Sequence, residues 1–321
     1  LLGGVLQLAL QLPFLLRHGV CFWQRSGLWH PRMRAVGLLM LPAIFGAAVY
    51  QINILVGTLL ASLLPEGSVA YLYYADRLVQ FPLGIFAQAA ATAVLPSFSR
   101  QVANGDHAGM GDTFGHAMSL VLFLTIPAMI GLIILREPIV ALLFQRGAFD
   151  IQATRLTSDA LLYYALGIWA FAAVRIVVST FYAMQDTRTP VISASFSIAI
   201  NILLGMALMG PMKHCGLALA TALASIVNLA LLVYILRRKL GLIRWRCIVS
   251  SGSKTLAASG LMALGVLLTC RLFIPPATAT GNLRLLAGIG AGIIGGIAIF
   301  CVAAWTLKIP EWQKVMVLIQ R

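Results

Sequence analysis

A chain of 321 residues in which 60% are hydrophobic and only 10% charged is not an ordinary soluble protein, where about a quarter of residues are charged; it is built for a membrane. Its net charge of +14 would suggest nucleic acid in a soluble protein, but in so apolar a chain the basic residues are a topology signal, and no nucleic-acid partner is expected. With nine Asp and Glu in all, no paired carboxylates on one helix, and no HExxH, GxSxG or GxxxxGK[ST] motif, the chain is expected to be a non-enzyme.

In chain order, nine apolar stretches are long enough for helices crossing a hydrocarbon core of about 30 Å. They run over roughly 1–16, 36–63, 69–98, 114–135, 155–184, 190–210, 215–236, 252–273 and 284–307. The first begins at Leu1-Leu2-Gly3-Gly4 without Met or a basic leader, which suggests the C-terminal portion of something longer. Alternating the connections places Arg17, Arg25, Arg100, Arg188 and the run Arg237-Arg238-Lys239 on the side of the C-terminus. Arg136, Arg146, Lys213, Arg271 and Arg284 fall on the other side. The basic excess assigns the first side, and the C-terminus, to the cytoplasm.

The third stretch carries Tyr73-Tyr74-Ala75-Asp76-Arg77-Leu78-Val79-Gln80-Phe81-Pro82, with long uncharged sequence on both sides. An ion at that depth is costly and must face protein or a wet cavity. Neighbours on a helix point about 100° apart, so Asp76 and Arg77 do not face one another, whereas Tyr73 and Gln80 share Arg77's stripe. Arg175, inside the fifth stretch, is a second intramembrane cation, and the two are expected to face a common cavity. Arg155 precedes Asp159 by four residues, the spacing of a helical ion pair. Asp186-Thr187-Arg188-Thr189-Pro190 reads as a tight cytoplasmic turn in which Asp186 caps the next helix and Pro190 suits its first turn; Asp186 and Arg188 are the gating or capping candidates. Gly288, Gly292 and Gly296 form two overlapping GxxxG spacings, a face that lets another helix approach closely or, alternatively, a groove for a lipid chain. His18, His30, His107, His116 and His214 are expected near interfaces. Five cysteines without CxxC spacing indicate neither a disulfide framework nor zinc.

Four blocks in this order, Tyr74-Ala75-Asp76-Arg77, Leu95-Pro96-Ser97-Phe98-Ser99, Phe144-Gln145-Arg146-Gly147-Ala148-Phe149, and Phe181-Tyr182-Ala183-Met184-Gln185-Asp186-Thr187-Arg188-Thr189-Pro190, resemble the MurJ (MviN) family of lipid II flippases. The resemblance covers essentially the whole chain and implies an all-α, polytopic membrane bundle of about nine helices, equivalent to helices six to fourteen of a fourteen-helix fold in the multidrug/oligosaccharidyl-lipid/polysaccharide exporter superfamily. It implies residues 1–35 as the rest of a first-lobe helix and a cytoplasmic linker, 36–247 as a second six-helix lobe, and 248–321 as two helices forming a lipid groove, with a cytoplasmic tail. The family's first five helices, a partner for this portion, lie outside the chain.

The implied activity is moving undecaprenyl-diphosphate-linked peptidoglycan precursor between leaflets of a bacterial inner membrane by alternating access, with lipid II and membrane lipids as partners. Arg77, Asp76, Gln80 and Arg175 are the implied substrate-binding residues, Arg77 meeting the diphosphate. Some relatives carry Glu where Gln80 stands. No cofactor is implied; sodium or the membrane potential are candidate energy sources, with Asn53, Asn201 and Thr221 as a sodium site that has no carboxylate beside it. The competing readings are an exporter of another polyprenyl-linked glycan or of a drug, and a non-transporting scaffold. A drug-cation exporter would want acidic residues where this chain has arginines.

Overall fold

The computed structural model describes residues 2–17, 51–241, 245–273 and 282–313, and among these every regular element is helical. By internal contacts the chain divides into two units, Leu1–Phe45 and Gly46–Arg321. The first contributes α1 (Leu2–Arg17), an apolar helix with Pro13 inside it.

The second unit begins, among the described residues, with α2 (Gln51–Ser62). It continues with α3 (Ser68–Pro82), a π-helical turn (Leu83–Gln88) and α4 (Ala89–Ala103), which together form one continuous rod of 36 residues. Then come α5 (His107–Ile134), the short α6 (Arg136–Phe144), α7 (Ile151–Ala165), α8 (Ile168–Ala183), α9 (Arg188–Met212), α10 (His214–Leu240), α11 (Trp245–Phe273) and α12 (Asn282–Thr306). Among the described residues six helical runs are long and apolar enough to cross a membrane, and the α7–α8 pair makes a seventh if counted as one span. The first two expected spans are described as the shorter apolar helices Gly4–Pro13 and Gln51–Ser62, and residues 18–50 between them lie outside the described residues.

The fifth expected span is not one straight helix: α7 and α8 meet at 44°. The bend falls at Gly167, where a side chain would come within 3.0 Å of the Ala222 backbone, so the glycine lets the start of α8 close on α10. The π-helical turn follows Pro82, whose missing N–H already interrupts the regular ladder.

Two apolar cores hold the second unit together. The larger joins Ala75, Val79 and Leu83 of the long rod to Phe98, Phe114, Ile176, Phe181 and Leu232, all at most 2% exposed. The smaller joins Phe123 and Leu135 to Met262, Val266, Phe300 and Ala304, attaching the α11–α12 pair to α5. The GxxxG face is a protein-packing face: Gly288, Gly292 and Gly296 are buried, and a Cβ on Gly296 would lie 2.8 Å from a methyl group of Val266. The opposite face of α12, with Ile294 and Ile297, is exposed, as expected for a helix side turned to lipid. At the other end of this pair, Ser251 Oγ donates to Glu311 Oε2 at 2.6 Å, so the buried carboxylate following α12 is tied to α11.

His214 stands at the first position of α10, at a span end as expected, but is turned into the protein. It is 5% exposed, its Nε2 lies 3.0 Å from the Leu156 carbonyl, and its ring meets Tyr71 edge-on, joining α10 to α7 and α3.

Candidate functional site

The charged stretch lies wholly on α3, whose buried side is Ala75, Val79 and Pro82. That burial turns Arg77 outward and leaves Asp76 and Gln80 half-buried. Arg77 is not paired with its neighbour Asp76: its guanidinium carbon sits 4.8 Å from the centre of the Tyr73 ring, one turn earlier. Asp76 instead accepts a long hydrogen bond of 3.4 Å from Gln80 Nε2. Helix geometry thus separates the two charges and leaves the Arg77 fork of donors directed away from the core.

Arg175 reaches across from α8. Its Nη1 donates to the Leu83 carbonyl and to Gln88 Oε1, both at 3.2 Å, and its Nη2 lies 3.5 Å from Gln80 Oε1. Two of these acceptors belong to the π-helical turn, whose wider spacing presents its carbonyls differently from a regular helix. These three oxygens hold the guanidinium against the long rod and fix its position. Through Gln80 the structure connects Asp76 and Arg175. Gln88 and the Leu83 carbonyl were missed from sequence; Gln88 was detectable as a lone amide within an apolar run.

Tyr164 lies on α7, the helix that packs along α3, and Thr221 lies on α10, which packs against α7. Thr221 Oγ1 donates to the Leu217 carbonyl at 3.0 Å and approaches Asn201 Oδ1 at 3.4 Å, while Asn201 Nδ2 donates to Asn53 Oδ1 at 2.9 Å. The three residues considered for sodium are thus brought together by α2, α9 and α10. In this arrangement the three side chains satisfy one another, the Asn201 amide N–H facing Asn53 Oδ1 and the Thr221 hydroxyl facing Asn201 Oδ1. Among the described residues no cluster of three or more His, Cys, Asp or Glu could hold a metal ion.

The turn between α8 and α9 is built by Asp186. Its Oδ1 accepts from the Thr189 N–H at 3.0 Å, its Oδ2 accepts from the Thr189 hydroxyl at 2.6 Å, and Lys239 at the end of α10 donates to it as well. Arg188 is exposed. Burial alone would raise the Asp186 carboxyl, but the hydrogen bonds from Lys239 and Thr189 outweigh it and hold the group at about 2. Because the folded value lies below the ordinary carboxylate value of about 3.9, this contribution is complete above pH ~4 and is lost as pH falls through the folded value. Asp186→Ala is expected to cost about 1 kcal/mol, the worth of a helix cap. In thermal unfolding the difference from the parent should stay constant between pH 5 and 8; a difference that varies across that range would assign the group another role.

Arg155 does not form the expected pair with Asp159. Neither it nor Arg146 is ion-paired among the described residues, and both line an open cavity at the start of α7.

Comparison with known proteins follows the same lines. The sequence model of the family described as lipid II flippase MurJ matches residues 1–285. A probable lipid II flippase MurJ of Vibrio cholerae is 35% identical over 319 residues, covering 96% of this chain and 59% of its own length. One from Haemophilus influenzae is 36% identical over 238 residues, covering 72% and 46% respectively, so the chain spans about half the length of the curated relatives it matches. Among solved structures, a lipid II flippase MurJ in an inward closed conformation superposes with a TM-score of 0.70 at 26% identity, over 87% of this chain and 57% of that one. A multidrug resistance MATE family transporter shares the fold alone, with a TM-score of 0.55 at 17% identity over 87% of this chain and 66% of that one. A family match over most of the chain, with relatives above 30% identity, shows that this multi-pass membrane chain belongs to the MurJ family.

Proposed function

We propose that the chain is the C-terminal part of a lipid II flippase, moving an undecaprenyl-diphosphate-linked glycopeptide from the cytoplasmic to the outer leaflet of a bacterial inner membrane. The observation that carries this reading is the pair of guanidiniums on α3 and α8, Arg77 exposed and Arg175 held by neutral oxygens, within otherwise apolar helices. A guanidinium stays protonated at any working pH and matches phosphate oxygens with a planar fork. No covalent chemistry is needed: the cations hold the diphosphate, and the helices rock to expose it on one side and then the other. Residues 36–247 serve as the lobe that carries the cations. Residues 248–321 supply the helix pair along which the polyprenyl chain stays in lipid. The missing first lobe completes the cavity. Asp76 and Gln80 orient Arg175 and keep net charge low before substrate arrives. A drug-cation exporter is disfavoured because cations line this site.

The test is lipid II accessibility in spheroplasts depleted of their own flippase. Expression of the complete protein should restore lipid II at the outer surface. Properly inserted protein with no lipid II outside would overturn the reading.

Orientation is tested separately. In a background whose own cysteines are replaced by serine, Ala148→Cys should react with an impermeant thiol reagent in intact spheroplasts, and Thr187→Cys only after permeabilisation. The reverse pattern would invert the topology and the direction of transport with it.

A further inference from the structure

We propose that the open cavity between the Phe144-to-Phe149 loop and the first turns of α7 is a second phosphate-binding site, on the outer side of the membrane, that takes the lipid-anchored diphosphate as it leaves Arg77. The proposal rests on the flippase reading for its ligand and on the basic asymmetry for its side, but the site itself is read from geometry. The cavity has a volume of about 750 Å³, within the usual range for ligand pockets of roughly 300–1,000 Å³. Arg146, Arg155, Gln145 and Gln152 line it with donors, and Asp150 contributes the one carboxylate. That carboxylate is already engaged, because Asp150 Oδ1 accepts from the Ala153 N–H at 2.7 Å and caps α7. The two arginines are not so engaged.

Arg155 is the telling residue. It is exposed on the second turn of α7 and lines the cavity without an ion-pair partner, so its donors are open to an anion. Asp159, one turn away, is half-buried and does not pair with it. The loop that presents Arg146 is held in place: the Arg146 N–H donates to the Phe144 carbonyl at 2.8 Å and the Phe149 N–H to the Arg146 carbonyl at 3.1 Å. Gly147, at φ +59, makes this turn possible without strain.

The same loop touches the helix of the first site. Tyr74 packs against Phe144 and Phe149 with ring centres 4.7 and 5.5 Å apart, and against Tyr73 at 5.9 Å, over whose ring Arg77 lies. One run of aromatic contacts therefore joins the cavity to Arg77, so occupation of one site can be felt at the other. Two guanidiniums spaced on loop and helix suit a ligand with two phosphates better than a single carboxylate.

Inorganic pyrophosphate is the probe, titrated calorimetrically into the purified protein in phosphatidylcholine nanodiscs, in an Arg77→Ala, Arg175→Gln background that removes both guanidiniums of the first site. Binding should persist there and fall at least tenfold when Arg146→Ala and Arg155→Ala are added, with an intermediate loss for the two Lys substitutions. Both arginines are exposed, so the unfolding temperature should not move, which separates lost binding from lost fold. Unchanged affinity in the double variant overturns the site. Replacing part of the lipid by phosphatidylglycerol separates the two sources of phosphate: undiminished pyrophosphate binding supports the substrate assignment, and displacement assigns the cavity to ordinary lipid headgroups and overturns it. Unchanged pyrophosphate affinity in the double variant of a protein that still restores lipid II at the outer surface overturns this site alone; weakened binding in a properly inserted protein that restores none overturns the flippase reading and the ligand assigned to the site with it.

Discussion

Arg77→Ala in the complete protein is expected to abolish outward movement of lipid II without lowering the amount of protein in the membrane. Both halves follow from geometry. The guanidinium is exposed and makes no ion pair among the described residues, its contact being the face of Tyr73. A cation–π contact at an exposed position contributes about 0.5–1 kcal/mol, too little for its loss to unfold the chain. Charge-assisted hydrogen bonds to a diphosphate contribute roughly 1.5–3 kcal/mol each, or one to two orders of magnitude in binding. Arg77→Lys keeps the charge but loses the fork, so it should recover activity only in part. Measuring lipid II at the outer surface together with protein abundance checks both. Full activity for Arg77→Ala at normal abundance would remove this residue from the substrate site; falling abundance would make it a structural residue instead.

Gly216→Val is expected to have the opposite signature, with little folded protein recovered. Gly216 lies near the start of α10 and is buried against α9, where even a Cβ would run into the Leu208 backbone carbonyl. Because the obstacle is main chain, no rotamer change makes room, and the α9–α10 hairpin has to open. Overpacking in a close-packed core costs about 1–3 kcal/mol for modest insertions and more when backbone must move. Gly290→Ala is the matched control. A Cβ there meets nothing within 4 Å, and exchanging an interior helical glycine for alanine gains up to about 1 kcal/mol. Fluorescence-detected size-exclusion profiles after heating should show Gly216→Val losing the monodisperse peak and Gly290→Ala retaining it at equal or higher temperature. A normal profile for Gly216→Val would mean that the hairpin can separate at no cost.

Much of this molecule was legible in one dimension because a membrane makes local sequence decisive. A bilayer leaves backbone groups no water to bond, so long apolar stretches have to be helices, and their order along the chain followed from hydropathy. The intramembrane charges Asp76, Arg77 and Arg175 were conspicuous for the same reason: a charge among apolar residues is expensive and needs a purpose. The cap formed by Asp186 needed only the spacing of Asp186 to Thr189. What depends on contacts between distant segments was out of reach. Sequence showed Gln80 sharing a helix with Asp76, but only the packing of α8 along the π-helical turn and α4 put Arg175 beside it, 95 residues away. The bend at Gly167 depends on Ala222, and the burial of the glycine face of α12 on Val266 and Leu135. Arg155 shows the limit most clearly: its spacing to Asp159 satisfied the rule for a helical pair, yet the pair does not form. Spacing along a helix sets which side chains are able to meet, whereas the elements packed around them decide which of them do.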